Sequence, residues 1–188
     1  MNLYLVRHGQ SVPNLENRHS GWTQLPLTDQ GFADARRAGE RLRDISFNRI
    51  YSSDLCRAIQ TAQTALPGCE PIQLSLLRER SVGILTERYI PDCFAEYGDA
   101  YAQCRATMDF SPYGGETPDQ LRARAAEFLR LLEADPCENA IAFTHAGLIS
   151  SLLENVLNVR LDLSCIRISN ACIVRLTHTD THWQYVLT

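Results

Sequence analysis

The chain has 188 residues, 45% hydrophobic and 21% charged, with a formal net charge of −4. These totals fit one soluble globular domain over residues 1–188, and they argue against a general nucleic-acid or membrane-binding surface. All 18 basic residues are arginine, which excludes a Walker-type P-loop and lysine Schiff-base chemistry. Any anion site must therefore be a local arginine cluster on an acidic protein. The seven cysteines form no CxxC pair, and none has an arginine six positions later. Structural zinc, dithiol redox chemistry and a cysteine-phosphatase loop are accordingly not expected, and the thiols should be reduced. The amino terminus enters a strand directly, with no basic n-region or cleavage site, and the longest nearly apolar run (140–153) contains His145. Cytoplasm is the expected location.

In chain order, Leu3, Tyr4, Leu5 and Val6 predict a short buried strand that stops at Arg7, His8 and Gly9. A polar loop rich in hydrogen-bond donors follows over 10–22, longer than a connection requires. Thr28 caps a helix reaching about residue 45, with Phe32, Ala35, Gly39 and Leu42 facing inward. Residues 49–52 predict the second strand, and Ser52 or Ser53 caps the next helix. Arg57 falls in the first turn of that helix, where a cation opposes the dipole. Its position suits either a nearby anion or a solvated surface arginine.

Residues 71–77 predict a third strand ending at Arg78, Glu79 and Arg80. The stretch 82–113 has weak periodicity and predicts irregular helix, with a lid over 84–113. Gly114 and Gly115 interrupt it, and Thr117 and Pro118 open an amphipathic helix carrying Leu121, Ala125, Phe128 and Leu132. Residues 139–144 predict a doubly buried strand, followed by His145, Ala146 and Gly147 and a helix over 148–157. A strand over 165–176, a turn at 179–181 and a strand over 183–187 close the chain. Strands alternating with helices predict an α/β fold with a mostly parallel central sheet and an antiparallel edge strand.

Past the predicted parallel strands stand Arg7 and His8, then Arg57, then Glu79, then His145. Strand exits of a parallel sheet share one edge, and ligands bind there. Each residue alone also suits a bland role: a capping histidine, a solvated arginine, or a Glu79 paired with Arg78 or Arg80. Their convergence suits phosphate chemistry.

Arg7-His8-Gly9, the run from Ser53 through Arg57-Ala58 to Thr61-Ala62, Leu77-x-Glu79 with Gly83, Gly114-Gly115-Glu116 and His145-x-Gly147 occur in the order of the histidine phosphatase superfamily. The chain resembles the branch that includes cofactor-dependent phosphoglycerate mutase. The resemblance implies a three-layer α/β/α sandwich and phosphoryl transfer through a phosphohistidine. By matching position His8 would be the nucleophile, Arg7 and Arg57 would clamp the phosphoryl oxygens, and His145 would donate to them, best as the imidazolium. Glu79 would protonate the leaving alkoxide and later deprotonate the water, so it must first carry a proton. Asn14, Ser20, Gly21 and Ala146 match positions at the phosphate or substrate, and the amides ahead of Leu148 would add donors. No metal and no cofactor is implied. The partner would be a small phosphorylated metabolite, with no nucleic acid and no membrane, and a homodimer is compatible with the sequence.

The mutase pattern has a longer insert after the acid glutamate, a tyrosine where Val82 stands, and Gly-Asn where Ala146 and Gly147 stand. These departures favour a phosphatase that admits water. Short members of the superfamily include α-ribazole phosphatase, similar in length and in the Gly-Gly-Glu segment, which makes α-ribazole 5'-phosphate the first substrate to consider. Sugar phosphates and phosphoserine stay open, as do a mutase and a non-catalytic binding module on the same fold.

Overall fold

The computed structural model describes residues 1–161, 168–179 and 182–186. Within them lie β1 (Asn2–Arg7), β2 (Arg49–Ser52), β3 (Ile72–Gln73), β4 (Asn139–Thr144), β5 (Ile173–Thr179) and β6 (His182–Val186). They form one sheet in the order β3-β2-β4-β1-β5-β6. The first four pair in parallel, β5 runs antiparallel to β1, and β6 antiparallel to β5. The helices are α1 (Val12–Leu15), α2 (Asp29–Leu42), α3 (Cys56–Ala65), α4 (Ile90–Thr107), α5 (Pro118–Ala134) and α6 (Ala146–Leu157).

The two central strands read as continuous apolar runs because both their faces are covered. Alternation then sorts the side chains. Leu3, Leu5, Tyr51, Ala140 and Ala142 pack with Leu121, Phe128 and Leu132 of α5 and Leu148 and Leu152 of α6. Tyr4, Val6, Ile141 and Phe143 pack with Ala38 and Leu42 of α2 and Ala62 and Ala65 of α3. The result is the expected three-layer α/β/α sandwich. A separate small core of Val82, Leu85, Cys93, Tyr101, Cys104, Phe110 and Tyr113 lies beneath α4 and its flanking 3-10 turns.

That small core is tied to the loop after β1. The His19 amide donates to the Arg88 carbonyl at 3.0 Å, and the Glu87 amide donates to the His19 carbonyl at 2.8 Å. The His19 ring is buried edge-on to Tyr101 and Phe110, with Nε2 2.5 Å from the Tyr101 hydroxyl. At the end of β1 the chain passes α2 backbone to backbone. A Cβ on Gly9 would stand 2.2 Å from the Gly31 carbonyl oxygen. Only paired glycines allow that approach.

Several sequence expectations need correction. The third strand is two residues long, because Leu74 and Leu76 turn inward against the core and Ser75–Leu77 forms a 3-10 turn. Leu55, not Ser52 or Ser53, caps α3; Ser53 Oγ instead accepts the Leu55 amide at 3.3 Å, ahead of the helix. α2 ends at Leu42, and α6 starts at Ala146, two residues before the expected position. The expected strand over 165–176 is a turn at its middle, where the Cys172 amide donates to the Ser169 carbonyl and Ala171 has φ of 53°. Of that reading, residues 165–167 lie outside the described residues, as do turn residues 180 and 181 and Leu187 at the end. The six described cysteines are free thiols.

Candidate active site

β1 and β4 are neighbours, and their ladder continues one step beyond β1, where the His8 amide donates to the Thr144 carbonyl at 2.9 Å. His8 and His145 therefore leave adjacent strands at one level. Their ring centroids are 5.0 Å apart and both side chains are buried.

The tautomer of His8 follows from its neighbours. Nδ1 is 2.7 Å from the Gly9 carbonyl oxygen. A carbonyl can only accept, so Nδ1 carries the hydrogen and Nε2 keeps its lone pair. Arg57 agrees: its Nε–H donates to His8 Nε2 at 3.3 Å. Burial, then the Arg57 and Arg7 charges, hold His8 well below the ordinary histidine value. The ring is thus neutral at physiological pH, with its lone pair turned into the pocket's arginine.

Arg57 is fully buried, which rules out the solvated-arginine reading. Its Nη1 donates to the Thr23 carbonyl and its Nη2 to the Gly21 carbonyl, each at 2.9 Å. One guanidinium thereby clips the 20–23 loop to His8. Burial lowers it to about 10, opposed chiefly by the Glu79 carboxylate, and it stays charged. Below it, Thr61 Oγ1 donates to the Arg57 carbonyl at 2.7 Å and accepts the Gly9 amide at 3.1 Å.

His145 is also held well below the ordinary value, by burial first and then by Arg57 and His8. The expected imidazolium is therefore absent when the pocket carries no anion. Both its ring nitrogens are buried and lack a hydrogen-bond partner among the described residues. A buried imidazole with both nitrogens unsatisfied is costly unless a ligand meets it.

Glu79 reaches the same strand edge after the 3-10 turn. Its Oε1 accepts the Arg80 amide at 2.7 Å and the Gly147 amide at 3.1 Å. The Gly147 amide expected to face phosphate is thus taken by this carboxylate, which settles at the N-terminus of α6. A Cβ on residue 147 would stand 2.2 Å from Oε1. The bland alternative of a Glu79–Arg78 ion pair is not formed, since Arg78 bonds both oxygens of Asp54 at 2.7 and 2.6 Å.

Arg7 is near enough for its charge to act on His8, Arg57 and His145, and the other expected residues brace the ends of the strands and the 10–22 loop. Arg7 donates from Nη1 to the Ile168 carbonyl at 2.5 Å. Asn14 Oδ1 accepts from Ser11 Oγ at 3.0 Å and from Asn170 Nδ2 at 3.2 Å, and that Asn170 amide also donates to the His8 carbonyl at 3.1 Å. Ser20 accepts the Thr23 amide at 3.0 Å with its carbonyl. Gly21 contributes its carbonyl to Arg57, and its φ of 43° lets it lie against Val82 and Thr86. Ala146 is the first residue of α6.

Two neutral imidazoles and the Arg57 guanidinium are buried at this edge, with Arg7 and the Glu79 carboxylate half-buried beside them, an arrangement that attracts an anion. The comparisons with known proteins agree on its class. Residues 3–188 match the family described as histidine phosphatase superfamily (branch 1). The chain belongs to that superfamily, and with it to the phosphatase class of enzymes. A 2,3-bisphosphoglycerate-dependent phosphoglycerate mutase 2 of Gloeobacter violaceus is 33% identical over 160 residues, covering 80% of this chain and 73% of that protein. A mycobacterial glucosyl-3-phosphoglycerate phosphatase, solved with VO3, superposes with a TM-score of 0.89 at 26% identity over 99% of this chain and 97% of that one. An Escherichia coli structure provisionally assigned as an alpha-ribazole-5'-P phosphatase gives 0.89 at 23% identity over 100% and 95%, which bears on the fold alone.

Sequence reasoning gave no role to Asn170, Trp22 or Arg124. Trp22 Nε1 donates to the Glu79 carbonyl at 2.7 Å, and its ring lies under the Arg78 guanidinium, 4.9 Å away. Arg124 and Glu116 brace the backbone on either side of Glu79. No local pattern announces such long-range contacts to main chain.

Three buried histidines set the acid limb of stability. His8 and His145 lie well below 6.5 in the fold, and His19 is lowered to about 4 by burial and then Arg105. The unfolded chain therefore binds more protons than the native state once the pH drops below about 6.5. Stability should be full above that value and decline on acidification, with His8 and His145 each contributing about 1.4 kcal/mol per pH unit. Urea unfolding between pH 8 and 5 should show this fall, and His145→Gln should make it shallower. An unchanged midpoint across that range would contradict the neutral buried rings.

Proposed function

We propose that this chain is a metal-independent phosphatase that hydrolyses a small phosphomonoester through a phosphohistidine on His8. The observation that carries the reading is the fixed His8 tautomer, with Nδ1–H held by a carbonyl and the Nε2 lone pair beside a buried guanidinium. In the first step Nε2 attacks phosphorus, the ester P–O bond breaks, and Glu79 gives its proton to the departing alkoxide. Oε1 already accepts two amides, so that proton belongs on Oε2. In the second step Glu79 takes a proton from water, water oxygen attacks phosphorus, and the N–P bond breaks to restore the lone pair. Arg7, Arg57 and a protonated His145 balance the charge spread over the transferring oxygens.

A phosphatase is favoured over a mutase by three features. The segment between Glu79 and Gly114 is short, Val82 stands where the mutase pattern has tyrosine, and Ala146 and Gly147 replace Gly-Asn. The mutase reading rests on the resemblance to the mutase branch and on the names of relatives such as the Gloeobacter protein, and it requires a bisphosphate primer and interconversion of two phosphoglycerates. The intact set of reactive groups weighs against a binding module. α-Ribazole 5'-phosphate heads the substrate panel, ahead of sugar phosphates and phosphoserine, and the site of action would be the cytoplasm. Among the described residues no helix is long and apolar enough to cross a membrane.

The test is turnover of p-nitrophenyl phosphate in the presence of EDTA, expected to persist in the wild type and to vanish in His8→Ala. Rapid quench in alkaline detergent should trap alkali-stable, acid-labile phosphate on the wild-type protein alone. In Glu79→Gln, kcat/KM should fall by about 10²-fold or more for an alkyl phosphate and far less for p-nitrophenyl phosphate, whose leaving group needs little protonation. Equal losses would remove Glu79 from the acid role.

The lowered His145 has a second consequence. A bound dianion favours the imidazolium, so binding should draw one proton onto His145 between its free and bound values. Affinity for tungstate, a dianion throughout the neutral range, should then weaken as pH rises, by up to about tenfold per unit. Calorimetry in two buffers of different protonation enthalpy would read that proton directly, and zero uptake would leave His145 neutral in the complex.

A further inference from the structure

Glu79 stands on backbone that belongs to neither helix nor strand, between the 3-10 turn Ser75–Leu77 and the one at Gly83–Leu85. Its main-chain polar groups must therefore find partners elsewhere. Arg124, in the middle of α5, supplies most of them. Its Nη1 donates to the carbonyls of Leu76 at 2.9 Å and Arg78 at 2.6 Å, and its Nη2 donates to the carbonyl of Glu79 at 3.1 Å. The opposite edge of the same guanidinium meets Glu116, Nε to Oε1 at 3.0 Å and Nη2 to Oε2 at 2.9 Å. Glu116 Oε2 in turn accepts the Ser81 amide at 2.7 Å. The pair is nearly buried, with side-chain exposures of 13% and 16%.

One ion pair thus grips the chain at residues 76, 78, 79 and 81, on both sides of the carboxyl-bearing residue. The carboxyl group itself is held elsewhere, its Oε1 accepting the amides of Arg80 and Gly147. We propose that Arg124, locked by Glu116, is a positioning residue for Glu79, setting where its carboxyl meets the leaving oxygen. The inference rests on the acid role given to Glu79 above. A planar fork is required, because three carbonyls and a carboxylate are engaged at once. Lysine offers a single point of donation and cannot span them. Misplacing a catalytic group by about 1 Å can cost about 10²-fold, so a loosened splint should be felt at the acid before it is felt at His8.

The experiment compares kcat/KM for an alkyl phosphate and for p-nitrophenyl phosphate, since kcat/KM ends at the first irreversible step, leaving-group release. Arg124→Lys and Glu116→Gln should each lower the alkyl phosphate value by about tenfold or more. The p-nitrophenyl phosphate value and the tungstate affinity should change by less than about threefold. In a Glu79→Gln background, Arg124→Lys should add no further selective loss, because there is no acid left to place. Glu116→Gln keeps the size and one oxygen of the partner, so it carries the test should Arg124→Lys fail to fold. Equal losses on both substrates, or no loss on either, would overturn the positioning role. If Glu79→Gln alone shows no leaving-group selectivity, the acid assignment falls and this inference with it. Selectivity in Glu79→Gln but in neither splint variant would sink the inference and leave the assignment standing.

Discussion

A guanidinium with no exposure to water, set against an imidazole lone pair, is the constraint from which the rest of the site follows. Burying the charge of Arg57 carries a desolvation cost of several kcal/mol. The carbonyls of Gly21 and Thr23 and the field of Glu79 offset it only in part, as its lowered value of about 10 records. Burial first, and then the residual positive potential, keep His8 and His145 neutral, which is what a nucleophilic nitrogen needs and what an anion-binding donor lacks. A phosphate dianion, the ligand proposed above, would resolve the conflict by giving the guanidinium a counter-charge and His145 a reason to protonate. The charges of the pocket thus favour an anion.

The same guanidinium explains why the loop over 10–22 is long. It must run from the end of β1 to the small core beneath α4 and return its carbonyls at Gly21 and Thr23 to Arg57. Gly21 at positive φ permits that return, and the buried His19 ring anchors the far side against Tyr101 and Phe110. Loop, small core and His8 are therefore linked by one continuous set of contacts.

What the sequence made legible divides along physical lines. His8, Arg57 and His145 could be read because each follows a short apolar run, and a polar group at a strand exit or an opposed cation in a first helical turn stands out locally. The three layers could be read because the central strands are apolar on both faces and α5 is apolar on one. The third strand could not, since Leu74, Leu76 and Leu77 are equally apolar as a strand or as a 3-10 turn packed on the core. Asn170 hid in an apparent strand, because the turn beside it uses Ala171 at positive φ and no glycine marks it. Arg124 had the least signal. It sits on an amphipathic helix among Leu121, Ala125 and Phe128, while its partners are main-chain carbonyls more than forty residues away.

The two sides of the pocket are built differently, and that difference bears on how such a site can change its substrate. His8 and His145 sit at the ends of paired central strands, in a ladder extended by the His8 amide, so their spacing is inherited from the sheet. Glu79 sits on irregular chain held by a side-chain splint, by Trp22 and by the amides of Arg80 and Gly147. On the proposed function, the phosphoryl end is thus set by the sheet rather than by what the phosphate is attached to. The leaving-group end can be re-aimed by altering a few side chains far apart in sequence without disturbing the sheet. Substrate preference in such a scaffold should accordingly be sought among residues contacting the 76–86 segment rather than among those around His8.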